Sequence, residues 1–196
     1  MVNLMQKEKE AMLILFKDFT IFYNANSISK LLNISHVGAQ KLLKRLLKQN
    51  LLIGSKVGKA TIYKIKLEDE YVRKLIAFLL ADEANNFKRW KGEFKDLFKK
   101  DRIIMMYGSA IKNYVKANDI DIMIVIKKAE YNEVLRIIEK KQIILPKKIH
   151  SIELTANDLL QNIKQQKKST IDLVKNAIIL YGHDKYLEIM KNVTGI

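Results

Sequence analysis

The chain has no cysteine, one proline and three histidines among its 196 residues. Without thiols it can form neither disulfides nor thiolate metal centres. His36, His150 and His183 are scattered, so a zinc site built from several imidazoles is not expected and any metal should be held by oxygen. No apolar run approaches the roughly 18 residues needed to cross a bilayer. Residues 1–4 lack the charged-then-apolar layout of a secretion signal. These absences point to a cytoplasmic protein with no membrane partner. Internal repeats and low-complexity segments are missing as well.

With 48% hydrophobic and 29% charged residues the composition is globular, and the length suits one large or two small domains, of which two are expected. The net charge of +15 is spread unevenly. Residues 1–66 hold 12 Lys/Arg against 3 Asp/Glu, residues 67–101 hold 8 against 8, and residues 102–196 hold 16 against 10. The basic first third suggests a polyanionic partner, most simply DNA or RNA, although a lysine-rich composition also arises with no partner implied.

In that first third, Asn3 is positioned to cap a helix carrying Met5, Ala11, Met12, Leu15 and Phe16 inward, with a short extended segment at 20–23. Ser27 then caps a short helix, and Ser35 caps a longer one reaching about Gln49. On the longer helix Ala39, Leu43, Leu46 and Leu47 recur at core spacing, leaving His36, Gln40, Lys41, Lys44, Arg45 and Lys48 towards solvent. Two strands at 51–54 and 60–65 follow, joined around Gly58, as a basic hairpin. Residues 27–66 resemble the winged helix-turn-helix domains of many prokaryotic transcription regulators. That resemblance implies that His36, Gln40 and Lys41 lie near base edges and that Lys44, Lys48, Lys56 and Lys59 meet phosphates. Winged helices also serve as protein-docking modules, so an adaptor with no nucleotide chemistry stays open.

Helical spacing at Val72, Leu75, Ile76, Leu79 and Leu80 and again at Phe87, Trp90, Phe94, Leu97 and Phe98 predicts two helices with a break at 82–86. The first joins the domains or pairs with its counterpart in a homodimer. A short buried strand at 102–107 ends at Gly108-Ser109. After a nine-residue gap, Asp119 and Asp121 open an apolar strand at 120–126, both carboxylates on one face. A backbone without a side chain at Gly108, the Ser109 hydroxyl and two aspartates together suit phosphate oxygens and a divalent cation. A helix at 130–141, a third strand at 147–154, helices at 157–166 and 172–177, a short apolar stretch at 178–181 and a helix at 183–191 complete the chain.

Tyr107-Gly108-Ser109 followed by Asp119-Ile120-Asp121-Ile122 resembles the signature of nucleotidyltransferases of the DNA polymerase beta type. The resemblance implies an α+β chain: a winged helix-turn-helix domain at 1–66, a helical linker at 67–86 and a mixed-sheet nucleotidyltransferase domain at 87–196. It implies Mg2+ at Asp119 and Asp121 and a nucleoside triphosphate held by Gly108 and Ser109, with Lys112 as a further phosphate contact. A hydroxyl acceptor, a protein among the options, would take the nucleoside monophosphate. The family carries a third carboxylate on a later strand. In that region the only acid is Glu153, while His150 occupies the position two before Ile152. Strand alternation puts His150 and Glu153 on opposite faces unless a bulge intervenes. With Glu153 in place the chain is a catalytic transferase. Without it, the expectation turns to a DNA-binding regulator or antitoxin-like protein whose second domain senses a nucleotide.

Overall fold

A computed structural model describes residues 3–194. It is an α+β structure with two sheets, and it divides into two compact units, one ending at Leu79 and the other beginning at Leu80.

The first unit runs α1 (Gln6–Lys17), α2 (Ala25–Leu32), α3 (His36–Lys48), β1 (Leu52–Val57), β2 (Ala60–Ile65) and the start of α4 (Glu70–Asn85). Three helices followed by an antiparallel hairpin is the element order of a winged helix-turn-helix. Its helix starts are set by capping side chains. Ser35 accepts from the Gly38 N–H at 3.0 Å, as the sequence predicts. Asn24, not Ser27, caps α2: its side chain accepts from Ser27 N at 3.0 Å, and Ser27 Oγ accepts from Asn24 N at 2.9 Å. Such a reciprocal pair satisfies two otherwise orphaned donors and is worth about 1 kcal/mol. Asn3 caps nothing, because α1 begins at Gln6 behind Met5, whose side chain is exposed rather than inward.

Ala39, Leu42, Leu43 and Leu46 form the buried stripe of α3. Leu47 falls off its edge into solvent and rests near Gly54. The second hairpin strand spans 60–65 as the sequence suggests, while the first runs on to Val57, further than its apolar pattern, since beyond Leu52 it is exposed and tolerates polar residues. Its two-residue turn places Gly58 at φ +59°, a conformation glycine adopts without cost. The extended segment expected at 20–23 reduces to one bridge between Tyr23 and Tyr63.

The second unit takes the end of α4 and continues through α5 (Lys88–Glu93), β3 (Ile103–Tyr107), α6 (Ser109–Lys112), β4 (Asp119–Val125), α7 (Tyr131–Ile144), β5 (Lys148–Leu154), α8 (Ala156–Lys164), α9 (Lys168–Asn176), β6 (Ile178–Tyr181) and α10 (His183–Thr194). The break after α4 is only Asn86 and Phe87, narrower than expected. The sheet order is β5-β4-β3-β6, with β3 antiparallel to β4 and β6, and β4 parallel to β5. β6, a four-residue stretch too short for periodicity to assign, is an edge strand.

Alternation divides the sheet into two buried faces. Ile104, Met106, Ile120, Ile122, Ile124 and Ile149 pack with Trp90 of α5, Phe94 just after it, and Val134 and Ile138 of α7. Ile103, Met105, Met123, Val125 and Ile179, also buried, point the other way, where α10 adjoins β3 and α8. Asp119 and Asp121 share the parity of Met123 and Val125, so they belong to this second face, at the end where β4 and β5 begin.

Candidate functional site

The two aspartates sit at the first and third positions of β4, both half-buried. Register pairs Asp121 with Tyr107 on one side and with His150 on the other. Three strands thus deliver their side chains to one corner of the sheet. His150 Nδ1 lies 3.1 Å from Asp119 Oδ2 and 3.8 Å from Asp121 Oδ1. One donor atom from each of Asp119, Asp121 and His150 lies within 4.8 Å of the other two.

Gly108 follows Tyr107 at φ +79°, and the Asp121 carboxylate occupies the space that a Cβ at residue 108 would take. A side chain at 108 would have to displace that carboxylate. Burial, and then the charge of Asp119, holds the Asp121 carboxyl above its ordinary value, with His150 pulling the opposite way. The Tyr107 hydroxyl is also pushed up, first by burial and then by Asp121 and Asp119. A cation in this corner would relieve the repulsion between the two carboxylates.

Magnesium demands near-octahedral oxygen coordination at about 2.0–2.1 Å. Asp119 and Asp121 fit that requirement. The third donor is an imidazole nitrogen, which magnesium takes poorly and which suits first-row transition ions. The donor set therefore departs from an all-oxygen site.

Glu153, the expected third carboxylate, is not brought to the aspartates. It stands opposite Ile124, on the face of β5 that carries Ile149, and its Oε1 is buried without a hydrogen-bond partner. No bulge interrupts the β4–β5 register, so alternation alone separates Glu153 from His150. Ser109 and Lys112 are the first and last residues of α6, both exposed, on the segment that leaves Gly108. His150 was visible in the sequence as the residue at the right position with the wrong chemistry. Tyr107 is legible in the sequence as the end of a strand and the first residue of the Gly108-Ser109 motif, but not as a neighbour of Asp121.

In the first unit, His36, Gln40, Lys41, Lys44 and Lys48 are all exposed on α3, and Lys56 and Lys59 are exposed at the hairpin tip. None of these five lysines has an ion-pair partner among the described residues. Arg45 differs. Its Nε lies 3.3 Å from Oε1 of the fully buried Glu8, and its Nη2 donates to the Asn3 carbonyl at 3.0 Å. It ties α3 to α1, while its neighbours on the helix reach into solvent.

No protein-family model matches the sequence, and no curated protein matches it significantly. Among solved structures, the adhesin competence repressor AdcR of Streptococcus pyogenes aligns at 18% identity and a TM-score of 0.38, over 48% of this chain and 68% of that one. A cysteine-to-serine mutant of ZitR from Lactococcus lactis aligns at 18% identity and a TM-score of 0.36, over 48% of this chain and 64% of the other.

Proposed function

We propose that the chain is a DNA-binding regulator whose second unit binds a nucleoside triphosphate with a divalent cation as a signal, without transferring it. The DNA-binding half is supported by α3, whose exposed side carries Gln40, Lys41, Lys44 and Lys48 on successive turns, and by Lys56 and Lys59 on the hairpin beside it. An exposed basic helix of about 20 Å enters a major groove, and unpaired lysines neutralise phosphates. The nucleotide half is supported by the nucleotidyltransferase-like order of Gly108, Ser109, Asp119 and Asp121 and by their convergence at one corner of the sheet. In this reading Gly108 and Ser109 receive phosphate oxygens, Lys112 reaches the same group, and Asp119 and Asp121 hold the cation.

One observation carries the choice of sensing over transfer: His150, not a carboxylate, faces Asp121 across the β4–β5 register. A transferase of this type needs a third acid to complete the metal site and take the proton of the attacking hydroxyl. Glu153 sits on the wrong face to do so. The test is fluorescence anisotropy of labelled duplex DNA with and without ATP, GTP, CTP or UTP plus a divalent cation, run beside a turnover assay with the same triphosphates labelled at the α-phosphate. The reading expects DNA affinity to change with one triphosphate while no label is transferred. Label appearing on protein, RNA or a small acceptor would overturn it.

A further inference from the structure

We infer that the corner formed by Asp119, Asp121 and His150 is a site for a first-row transition cation of the Zn2+ or Co2+ kind, in preference to magnesium. The inference rests on the reading of this corner as a cation-holding site and specifies which cation it holds.

The three side chains come from two adjacent parallel strands with an unbroken register, so their backbones hold fixed positions relative to one another. Donors around a single ion with bonds of about 2.0–2.2 Å stand about 3–3.5 Å apart. The imidazole nitrogen is 3.1 Å and 3.8 Å from the two carboxylate oxygens, and ligand atoms of all three groups lie within 4.8 Å of one another, so one ion fits among them once the side chains turn inward around it. Two carboxylates and one imidazole leave at least one coordination position open. The side chains remain 21% to 46% exposed, so water or a ligand oxygen can fill it.

Donor chemistry decides the preference. Imidazole is a common ligand for zinc, cobalt and nickel and a rare one for magnesium, which keeps its water and prefers carboxylates and phosphates. The imidazole bound to the metal through Nδ1 exchanges its contact with Asp119 for the ion. An aspartate at 150 would recreate an all-oxygen triad on the same scaffold, and the identity of residue 150 therefore sets the preference.

The experiment titrates the full-length protein with ZnCl2, CoCl2 and MgCl2 separately, in the absence of nucleotide, by calorimetry. Wild-type protein should bind one Zn2+ or Co2+ per chain at least tenfold more tightly than Mg2+. His150→Asp should reduce that preference by at least tenfold, and His36→Ala, which removes an exposed imidazole elsewhere, should leave it unchanged. Should the His150 variant fail to fold, NMR of the wild-type imidazoles decides: with three histidines in the chain, the signals of His150 should shift on adding Zn2+ while those of His183 stay. Magnesium binding as tight as zinc, a His150→Asp protein with an unchanged preference for zinc, or unmoved His150 signals would each overturn the inference. If magnesium wins and a triphosphate still raises the melting temperature, the nucleotide reading stands and this inference falls. If zinc binds through His150 but no triphosphate binds with any cation, the inference stands and the nucleotide reading falls.

Discussion

Gly108 and Asp121 are in direct contact: the carboxylate of Asp121 fills the position where any side chain at residue 108 would begin, and Gly108 holds φ at +79°. Gly108→Ala therefore incurs both a left-handed backbone penalty of about 1–2 kcal/mol and a collision that must move Asp121. Thermal unfolding should fall by about 3–10 °C, and calorimetry should show weakened cation binding at the corner. A variant that melts and binds like wild type would show that the contact is not maintained in solution.

Arg102 is buried beneath Glu130 and Glu133, donating to Glu130 Oε1 at 3.0 Å and lying 2.9 Å from Glu133 Oε1. Arg102→Met removes a buried cation and leaves the partly exposed acids with Lys99, at a cost of about 3 kcal/mol read from chemical denaturation. Burial alone would raise the Glu130 carboxyl, but hydrogen bonds from Arg102 and Lys99 hold it below its ordinary value. The Glu133 carboxyl is likewise lowered, by Lys99 first and then Arg102. Groups with depressed folded values stabilise fully above the ordinary carboxylate range and lose that contribution as pH falls through the folded value. Wild-type stability should thus drop on acidification below about pH 4.5, and the drop should be shallower in Arg102→Met. Parallel acid curves for the two proteins would contradict the pairing.

DNA affinity should depend steeply on salt. If Lys41, Lys44, Lys48, Lys56 and Lys59 each neutralise a phosphate, the logarithm of the association constant falls against the logarithm of salt with a slope of about −4 to −5. Changing Lys44 and Lys48 together to Glu should weaken binding to all sequences alike, while Gln40→Ala should chiefly relax sequence preference. Salt-independent binding, measured by anisotropy between low and physiological ionic strength, would remove α3 and the hairpin as the interface.

Glu153 and Asp121 should behave differently as ligand-binding residues. Asp121→Asn keeps the shape of the strand entrance and removes a charge, so the rise in melting temperature produced by triphosphate and cation should vanish while the fold survives. Glu153→Gln should leave that rise intact, because the side chain lies opposite Ile124 on the other face of the sheet. A loss of the ligand effect in Glu153→Gln would mean that β5 shifts register when the site is loaded.

What the sequence determined by itself is local. Ser35 announces the start of α3 because a cap and its donor lie three residues apart, and the helical spacing of Ala39, Leu43 and Leu46 places the lysines of that helix outside, although it left out Leu42, which the structure buries beside them. Gly108-Ser109 and the Asp119-x-Asp121 pair were legible for the same reason: a short strand, a turn and period-two carboxylates need only neighbours in the chain. Leu47 and Ser27 were misplaced by one edge of a stripe and one turn of a helix, where local signals are nearly degenerate. Tertiary structure decided the rest. The stretch at 178–181 became a strand because β3 had an open edge to pair with, which four apolar residues cannot reveal. Alternation along β5 said that His150 and Glu153 point oppositely, but not which of them faces the aspartates. That answer depends on the parallel register that sets His150 beside Asp121, and a slip of one residue would have reversed it.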